Sequence, residues 1–154
     1  MNLHELRRIV DTLPSRTVSC AKRGVGSFVT IDVGAKHSRR ARDGTSENVA
    51  DLHVWIHLCD WELVKRGDVL LSSDAPEDAF SSALACVVGA TLERIDVGTS
   101  RHEVVIVLDE GLQFLLRENL EEYDVEDDLL LLYPYDGEAI GYRSDLGFYK
   151  DSEL

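Results

Sequence analysis

The segment from His53 to Cys59 places histidine, tryptophan, histidine and cysteine at alternate positions, and imidazoles and thiolates are common zinc ligands. The β-branched and apolar neighbours predict a strand in which these side chains share one face. At about 3.3 Å per residue, His53 and His57 would lie roughly 13 Å apart, too far to bind one zinc ion. We therefore expect no metal site, but a half-buried face on which Trp55 packs and the imidazoles form hydrogen bonds.

The glycine-rich segment 24–27 invites comparison with phosphate-binding loops and nucleophile elbows. A dinucleotide-binding fingerprint needs a third glycine three residues after the second and a helix beginning there, whereas this segment continues into a predicted strand. The patterns GxSxG and GxxxxGK[ST] do not occur in the chain. We expect a turn in which glycine adopts positive φ before a hairpin or edge strand.

Asp32 and Asp96 occupy equivalent places in two copies of the tetrapeptide IDVG, at 31–34 and 95–98. Two such carboxylates could share a proton or a metal, but an aspartate at the polar position of an alternating strand ordinarily faces water. Cys59 could act as a nucleophile near His57, although the chain offers no third group to orient the pair. We expect no catalytic residue and no cofactor from these candidates.

The recurrence of IDVG extends into the segments that follow it. The apolar alternation of His53–Arg66 after the first copy matches that of Glu103–Arg117 after the second. The shared plan is a strand that ends in glycine, a connection and then a hairpin, which predicts an internal β-repeat at approximately 27–72 and 91–118. The alternative explanation is that any two β-hairpins share such apolar alternation, without a duplication. The first connection, 35–51, is far longer than its counterpart, and we expect it to be a functional or disordered loop.

The chain has 154 residues, of which 44% are hydrophobic, and this size fits one domain over 1–154. Apolar residues at helical spacing predict an N-terminal helix over 3–13, with Asn2 as N-cap and Pro14 as its stop. Asp74 ahead of Pro76 predicts a second helix over 76–88 that ends at Gly89. The predicted strands are 16–22, 27–34, 52–59, 61–66, 91–98, 103–109, 112–117, 129–133 and 138–142.

These elements predict an α+β fold. It should consist mainly of antiparallel β-sheet built from two similar β-units, with the N-terminal helix and one central helix packed on the sheet. The three cysteines have no CxxC spacing, and we expect buried, reduced thiols. The N-terminus lacks the apolar run of a signal peptide, and no later stretch is long enough to span a membrane, so we expect a cytoplasmic protein.

The formal net charge of −13 predicts repulsion from nucleic acids and from anionic membranes. A basic protein is the better match as a partner, although solubility alone also explains an acidic chain. The strongest local feature is the segment Glu118–Asp128, the acidic run, which holds seven acidic residues and no basic one. It can be a solvated segment. It can also be a recognition surface, in which Tyr123 is a rigid anchor among carboxylates.

Four basic residues collect in the predicted loop, and they form a basic spot on an acidic protein: Lys36, Arg39, Arg40 and Arg42. This spot could bind the acidic run of a second copy, which would make a structural homodimer. A nucleic-acid interface is a weak explanation because no aromatic residues are interleaved with these cations.

The size, the acidity, the strand segments GSFVTIDVG and HVWIHLCDW and the segment ENLEEYDVEDD carry a resemblance in general character. The chain resembles the small acidic cytoplasmic immunity proteins of bacterial toxin systems, including contact-dependent growth inhibition and polymorphic toxins. The resemblance implies a non-catalytic inhibitor that binds a basic toxin domain, for example a nuclease. The implied partner-binding residues are Glu121, Glu122, Tyr123, Asp124, Glu126, Asp127 and Asp128. The alternative is a small-molecule-binding protein or enzyme with a site between the sheet and the 76–88 helix.

Overall fold

The structure is a computed structural model that describes residues 1–100 and 102–154. Its helices are α1 (Leu3–Asp11) and α2 (Phe80–Ala85), with 3₁₀ turns at Glu77–Ala79 and Asp151–Glu153. Its strands are β1 (Val18–Arg23), β2 (Val29–Arg40), β3 (Ser46–Ile56), β4 (Asp60–Lys65), β5 (Asp68–Ser72), β6 (Leu92–Val97), β7 (Glu103–Leu108), β8 (Leu112–Arg117), β9 (Leu130–Pro134), β10 (Ile140–Arg143) and β11 (Gly147–Lys150).

The strands form two antiparallel sheets, which confirms the predicted α+β class. One sheet has the order β1-β2-β3-β9-β10-β11 and the other the order β5-β4-β8-β7-β6. The sheets meet along one edge, where the Val18 N–H donates to the Ala90 carbonyl at 2.8 Å and the Leu92 N–H to the Arg16 carbonyl at 2.7 Å. No helix among the described residues is long and apolar enough to cross a membrane.

The core lies between the two sheets because period-two alternation turns one face of each strand inward. Side chains from both sheets and both helices form one continuous buried cluster. Trp61 is 2% exposed and its ring lies 5.8 Å from Phe80 and 5.9 Å from Phe114. Its indole N–H donates to the Ser27 carbonyl at 2.8 Å, so burial leaves no polar atom unsatisfied there.

The N-terminal helix is confirmed, with the Asn2 Oδ1 accepting from the Glu5 N–H at 2.9 Å and Leu6 and Val10 buried. The second helix is shorter than predicted, since α2 contains only Phe80–Ala85. The Asp74 carboxylate accepts from the Ser72 hydroxyl, and no side chain in the described part of the chain caps α2 or the 3₁₀ turn before it.

The expectation of a loop at 35–51 is wrong. Strands β2 and β3 continue through this segment as a hairpin, from Lys36 opposite Ala50 to Arg40 opposite Ser46. Beyond Val33 and Leu52, these two strands pair only with each other, because β1 and β9 end there. We call this two-stranded extension, residues 36–50, the arm.

The two IDVG copies lie in different sheets, on β2 and on β6. In each case the strand that follows pairs antiparallel with the IDVG strand. The predicted hairpin after the second copy is confirmed as β7–β8. The prediction of a hairpin after the first copy is wrong, because β3 and β4 belong to different sheets and the chain crosses from one sheet to the other at 57–59. The duplication itself stays a prediction.

Candidate functional site

The acidic run connects β8 in one sheet to β9 in the other. It lies beside the crossover at 57–59, where the Leu58 N–H donates to the carbonyl of Asp128, the last residue of the run, at 3.0 Å. The Asn119 side-chain amide donates to the Asp60 carboxylate at 3.2 Å, and this contact ties the run to the start of β4. The run is therefore anchored to the scaffold at both ends.

Side chains of the run itself form its turns. The Asn119 Oδ1 accepts from the Glu121 N–H at 3.1 Å, and the Asp127 Oδ2 accepts from the Asp124 N–H at 2.9 Å. The Asp124 Oδ1 accepts from the Glu126 N–H at 3.2 Å. Short polar side chains that bind nearby backbone N–H groups fix such turns. Asp124 and Asp127 thus shape the run as well as adding charge.

The predicted partner-binding residues differ in exposure. Glu121, Glu122, Asp124 and Glu126 are exposed, whereas Tyr123, Asp127 and Asp128 are half-buried. Within residues 1–100 and 102–154, none of the four exposed carboxylates forms an ion pair. Their negative charge is therefore directed at solvent.

Asp128 faces its own chain. Its carboxylate accepts from the Tyr149 hydroxyl at 2.7 Å, and the Tyr149 ring lies over Gly141, where an added Cβ would stand 2.6 Å from ring atoms. Burial raises the pKa of Asp128, and the hydrogen bond from Tyr149 opposes that rise. Asp128 therefore contacts a distant strand of its own chain, whereas Asp124 bonds only within the run.

A groove of about 520 Å³ opens beside the run, and we call it the acidic groove. Its lining residues come from the β1–β2 turn, the 57–60 crossover, the segment after β5 and the run: Val25, Gly26, Ser27, Phe28, Leu58, Asp60, Ser73, Asp74, Glu122 and Tyr123. Val25 is 83% exposed at the tip of the turn. A lining that combines apolar side chains with carboxylates suits the stem and the charged head of a lysine or arginine side chain.

Tyr123 lines this groove. Burial raises the pKa of its hydroxyl, the charge of Glu122 adds to that effect, and a hydrogen bond with the Ser27 side chain opposes it. The ring is therefore partly docked on its own chain, which limits the side-chain entropy that it would lose on binding.

A second hollow of about 290 Å³ adjoins the groove and shares Asp60, Ser73 and Asp74 with it. Its lining includes Glu118 of the run and also Glu62, which pairs with Arg117 at 3.7 Å. The Glu118 Oε1 lies 2.5 Å from the His102 Nδ1, and its Oε2 accepts from the Ser144 hydroxyl. The acidic surface is thus wider than the run, and sequence reasoning missed this part of it.

The predicted turn at 24–27 is confirmed, with Gly26 at φ +61° and the Gly24 N–H donating to the Phe28 carbonyl at 2.7 Å. Val25, a lone apolar residue between the two glycines, was the only sequence signal for an exposed apolar side chain at this turn. The rest of the groove depends on which distant segments meet, and no local pattern indicates that.

The half-buried face of the 53–59 segment is confirmed for His53, Trp55 and His57. The His53 Nδ1 lies 2.6 Å from the Asp32 Oδ1. Burial lowers the pKa of the His57 imidazole, and a hydrogen bond with the Asp128 backbone opposes that effect. Asp32 is also less solvated than expected, since its side chain is 17% exposed and Lys36 pairs with it as well.

The cysteines are free, but only Cys59 is buried, whereas Cys20 is half-buried and Cys86 is exposed. The expectation of three buried thiols is therefore wrong. Burial raises the pKa of the Cys59 thiol above its usual range, which keeps it protonated. In the part of the chain that the structure describes, no three His, Cys, Asp or Glu side chains form a group that could hold a metal ion.

The basic residues lie on the arm or its turn. Lys36 pairs with Asp32, and Arg39 pairs with Glu47 at 2.8 Å. Arg40 and Arg42 are exposed and form no ion pair with the other described residues. Strand β2 carries the acidic groove near its first residue, Val29, and the arm at its other end. The structure therefore does not bring the basic spot and the acidic run together within one chain.

Comparison of the chain with protein-family models, with curated proteins and with solved structures finds no match. The function proposed next therefore depends on the geometry and charge of the acidic run and groove.

Proposed function

We propose that the protein binds and inhibits a basic protein partner through the acidic run and the acidic groove, without catalysis. The observation that carries the proposal is a set of four exposed carboxylates with no intrachain cation among the described residues, next to a groove with apolar walls. Unpaired surface charge of one sign accelerates encounter with a partner of the opposite sign.

The groove supplies the short-range part of the interaction. Tyr123 and Val25 offer apolar contact area, and three carboxylates of the same lining, Asp60, Asp74 and Glu122, can receive a cationic head group. Binding energy in protein interfaces concentrates in such central aromatic positions, while the charged rim governs association rate and partner choice. A lysine or arginine of the partner that enters this groove is the contact that we propose.

We further propose that the partner is a toxin domain and that the protein acts as an immunity protein of bacterial toxin systems. The support is the general resemblance in size and acidity together with the exposed carboxylates. An inhibitor of a cationic active site needs a rigid negative surface, and the run is fixed by its own turn hydrogen bonds.

The alternative site beside the second helix has less support. The hollow there is about 250 Å³, below the range of roughly 300–1,000 Å³ of ordinary ligand sites. The Arg23 guanidinium, which lines it, is 3.0 Å from Glu77 and lies over the Phe80 ring.

The test is co-purification from the cells in which the protein occurs, with tagged wild type and two charge-reversed variants. The site variant is Glu122→Lys with Glu126→Lys, and the matched control is Asp68→Lys with Glu93→Lys, which reverses two exposed carboxylates elsewhere. We expect a basic partner with wild type and with the control, and its loss from the site variant. Equal recovery by all three proteins would refute the proposed surface.

A further inference from the structure

A separate pocket of about 510 Å³ lies where the end of α1, the base of the arm and the segment after β9 meet. Its volume is within the range of small-molecule sites. We call it the His37 pocket, and its lining residues are Ile9, Thr12, Leu13, Pro14, His37, Asp51, Pro134, Tyr135, Asp136, Gly137, Glu138 and Lys150. It shares no lining residue with the acidic groove.

The pocket contains an oriented imidazole. The His37 Nε2 lies 2.5 Å from the Asp51 Oδ1, and the Asp51 side chain is 7% exposed. Asp51 also accepts from the Ala35 N–H at 2.8 Å, so its buried carboxylate is held from two directions. A buried carboxylate that fixes one nitrogen of a histidine sets the orientation of the other nitrogen.

An irregularity in the β2–β3 pairing leaves room for the His37–Asp51 pair. The register of β2 and β3 shifts between Val33 and Lys36, and Gly34 has φ +85°. A Cβ at Gly34 would stand 2.3 Å from the Asp51 Oδ2, so only glycine leaves room for that carboxylate. Bulges of this kind re-aim side chains and are common next to functional sites.

The other face of the histidine is also fixed. The His37 and Tyr135 rings stack with centroids 4.1 Å apart and planes 12° apart, and the Tyr135 N–H donates to the Asp51 carbonyl at 2.9 Å. With Nε2 directed at Asp51, the neutral imidazole has Nδ1 as a hydrogen-bond acceptor. The His37 side chain is 34% exposed and lines the pocket, so a molecule bound there can contact the imidazole.

The charges around the pocket favour a cation. Asp51, Asp136 and Glu138 are carboxylates of the lining, and the one lining lysine, Lys150, has its Nζ 3.0 Å from the Glu5 Oε1. The lining also has apolar side chains, from Ile9, Leu13, Pro14 and Pro134, and the Thr12 hydroxyl donates to the Arg8 carbonyl of α1 at 2.8 Å. A ligand that matches this surface has a positively charged donor at one end and an apolar body at the other.

We propose that the His37 pocket binds a small organic ammonium ion with an aromatic or branched apolar body, whose N–H donates to the Nδ1 of His37. This is a second site, independent of the acidic groove, so either proposal can fail while the other stands.

The test is a titration of the intact protein followed by NMR of its histidine ring signals, with two probes of similar shape. The probes are the phenethylammonium ion and its neutral analogue 2-phenylethanol. We expect saturable shifts of the His37 signals with both, and about tenfold tighter binding of the cation because it adds charge attraction to the same contacts. No saturable shift by the ammonium ion up to its solubility limit, or equal affinity of the two probes, would overturn the proposal.

A matched pair of variants locates the effect. Asp136→Asn removes an exposed carboxylate of the pocket, and Asp68→Asn removes an exposed carboxylate far along the chain on β5. We expect Asp136→Asn to weaken phenethylammonium binding about threefold and to leave 2-phenylethanol binding unchanged, whereas Asp68→Asn changes neither. Equal weakening by both substitutions would assign the selectivity to the net charge of the protein and would contradict a specific pocket.

Discussion

The buried carboxylate of Asp51 constrains three other residues. It holds the ring of His37, it accepts from the Ala35 N–H, and it fills the space in which a side chain at Gly34 would lie. A buried charge needs such partners because an unsatisfied carboxylate costs several kcal/mol. The base of the arm is therefore organised by one side chain.

The first prediction compares two glycines of similar backbone conformation. Gly34→Ala should lower the free energy of unfolding by about 3 kcal/mol or more, because the new Cβ adds a steric clash with Asp51 to the strain of positive φ. Gly44→Ala should cost only about 1 kcal/mol, because Gly44 has φ +87° but nothing within 4 Å of the added Cβ. Urea denaturation measures both, and equal losses would contradict the contact at Gly34.

The second prediction concerns acid stability. Burial alone would raise the pKa of Asp51, but hydrogen bonds from His37 and the Ala35 N–H, together with the charge of His37, lower it below the ordinary value of 3.8. A lowered folded-state pKa stabilises the native protein above the unfolded-state value, and the contribution is lost as pH falls through the folded-state value.

Wild type should therefore be more stable than the variant Asp51→Asn at pH 7, and the difference should shrink as pH falls below about 4. Denaturation of both proteins between neutral and acid pH measures that difference. A difference that stays constant over the whole range would show that the charge of Asp51 does not stabilise the fold.

The third prediction concerns thiol reactivity. Cys86 is exposed, whereas Cys59 is 1% exposed and burial raises the pKa of its thiol. Iodoacetamide should modify Cys86 first in the native protein, and Cys59 only after the chain unfolds, because the thiolate is the reactive form. Peptide mass spectrometry of samples alkylated with and without denaturant identifies the sites. Native modification of Cys59 would contradict its burial.

Among the elements, the arm could not be predicted from the sequence, and its residues were expected to form a loop. Its residues are mostly exposed on both faces, so the apolar alternation that predicts a strand is missing. In 53–59, by contrast, the apolar alternation continues without a break, so the sequence did not indicate that the chain crosses between the sheets at 57–59. Strand β8 was predicted with its correct bounds because it buries one face, whereas the short strands β5 and β11 were missed.

The candidate site was predictable only in part. Glu121, Glu122, Asp124 and Glu126 could be chosen from composition, and their exposure agrees with a recognition surface. The groove could not be predicted, because it is assembled from four segments that are distant in sequence. The His37–Asp51 pair was missed for the same reason, since it depends on a strand pairing inside the segment expected to be a loop.

The fourth prediction removes the end of the arm. Replacing residues 40–46 by Asn-Gly joins Arg39 to Glu47 through a two-residue hairpin turn, which suits that antiparallel pair. Stability should change by less than about 1 kcal/mol, because the removed residues pair only with each other and are largely exposed. Thermal denaturation tests this, and a variant that fails to fold cooperatively would show that the tip contributes to the core.

For the whole molecule, the essential property is the placement of charge on a rigid scaffold. The acidic surface lies near the start of β2, whereas Arg40 is the last residue of that strand and Arg42 follows it in the turn of the arm. The formal net charge is −13, so the field around the acidic end is reinforced by the rest of the protein. Such a field acts mainly on the rate of encounter and is screened by salt over about 8 Å at physiological ionic strength.

The most direct measurement is therefore the association rate with the co-purified partner as a function of salt concentration. We expect the rate constant for wild type and for the control Asp68→Lys/Glu93→Lys to fall steeply with salt, with little change in dissociation rate. For Glu122→Lys/Glu126→Lys the rate should be lower at low salt and its salt dependence weaker. An association rate that is the same for all three proteins and insensitive to salt would contradict binding through the acidic surface.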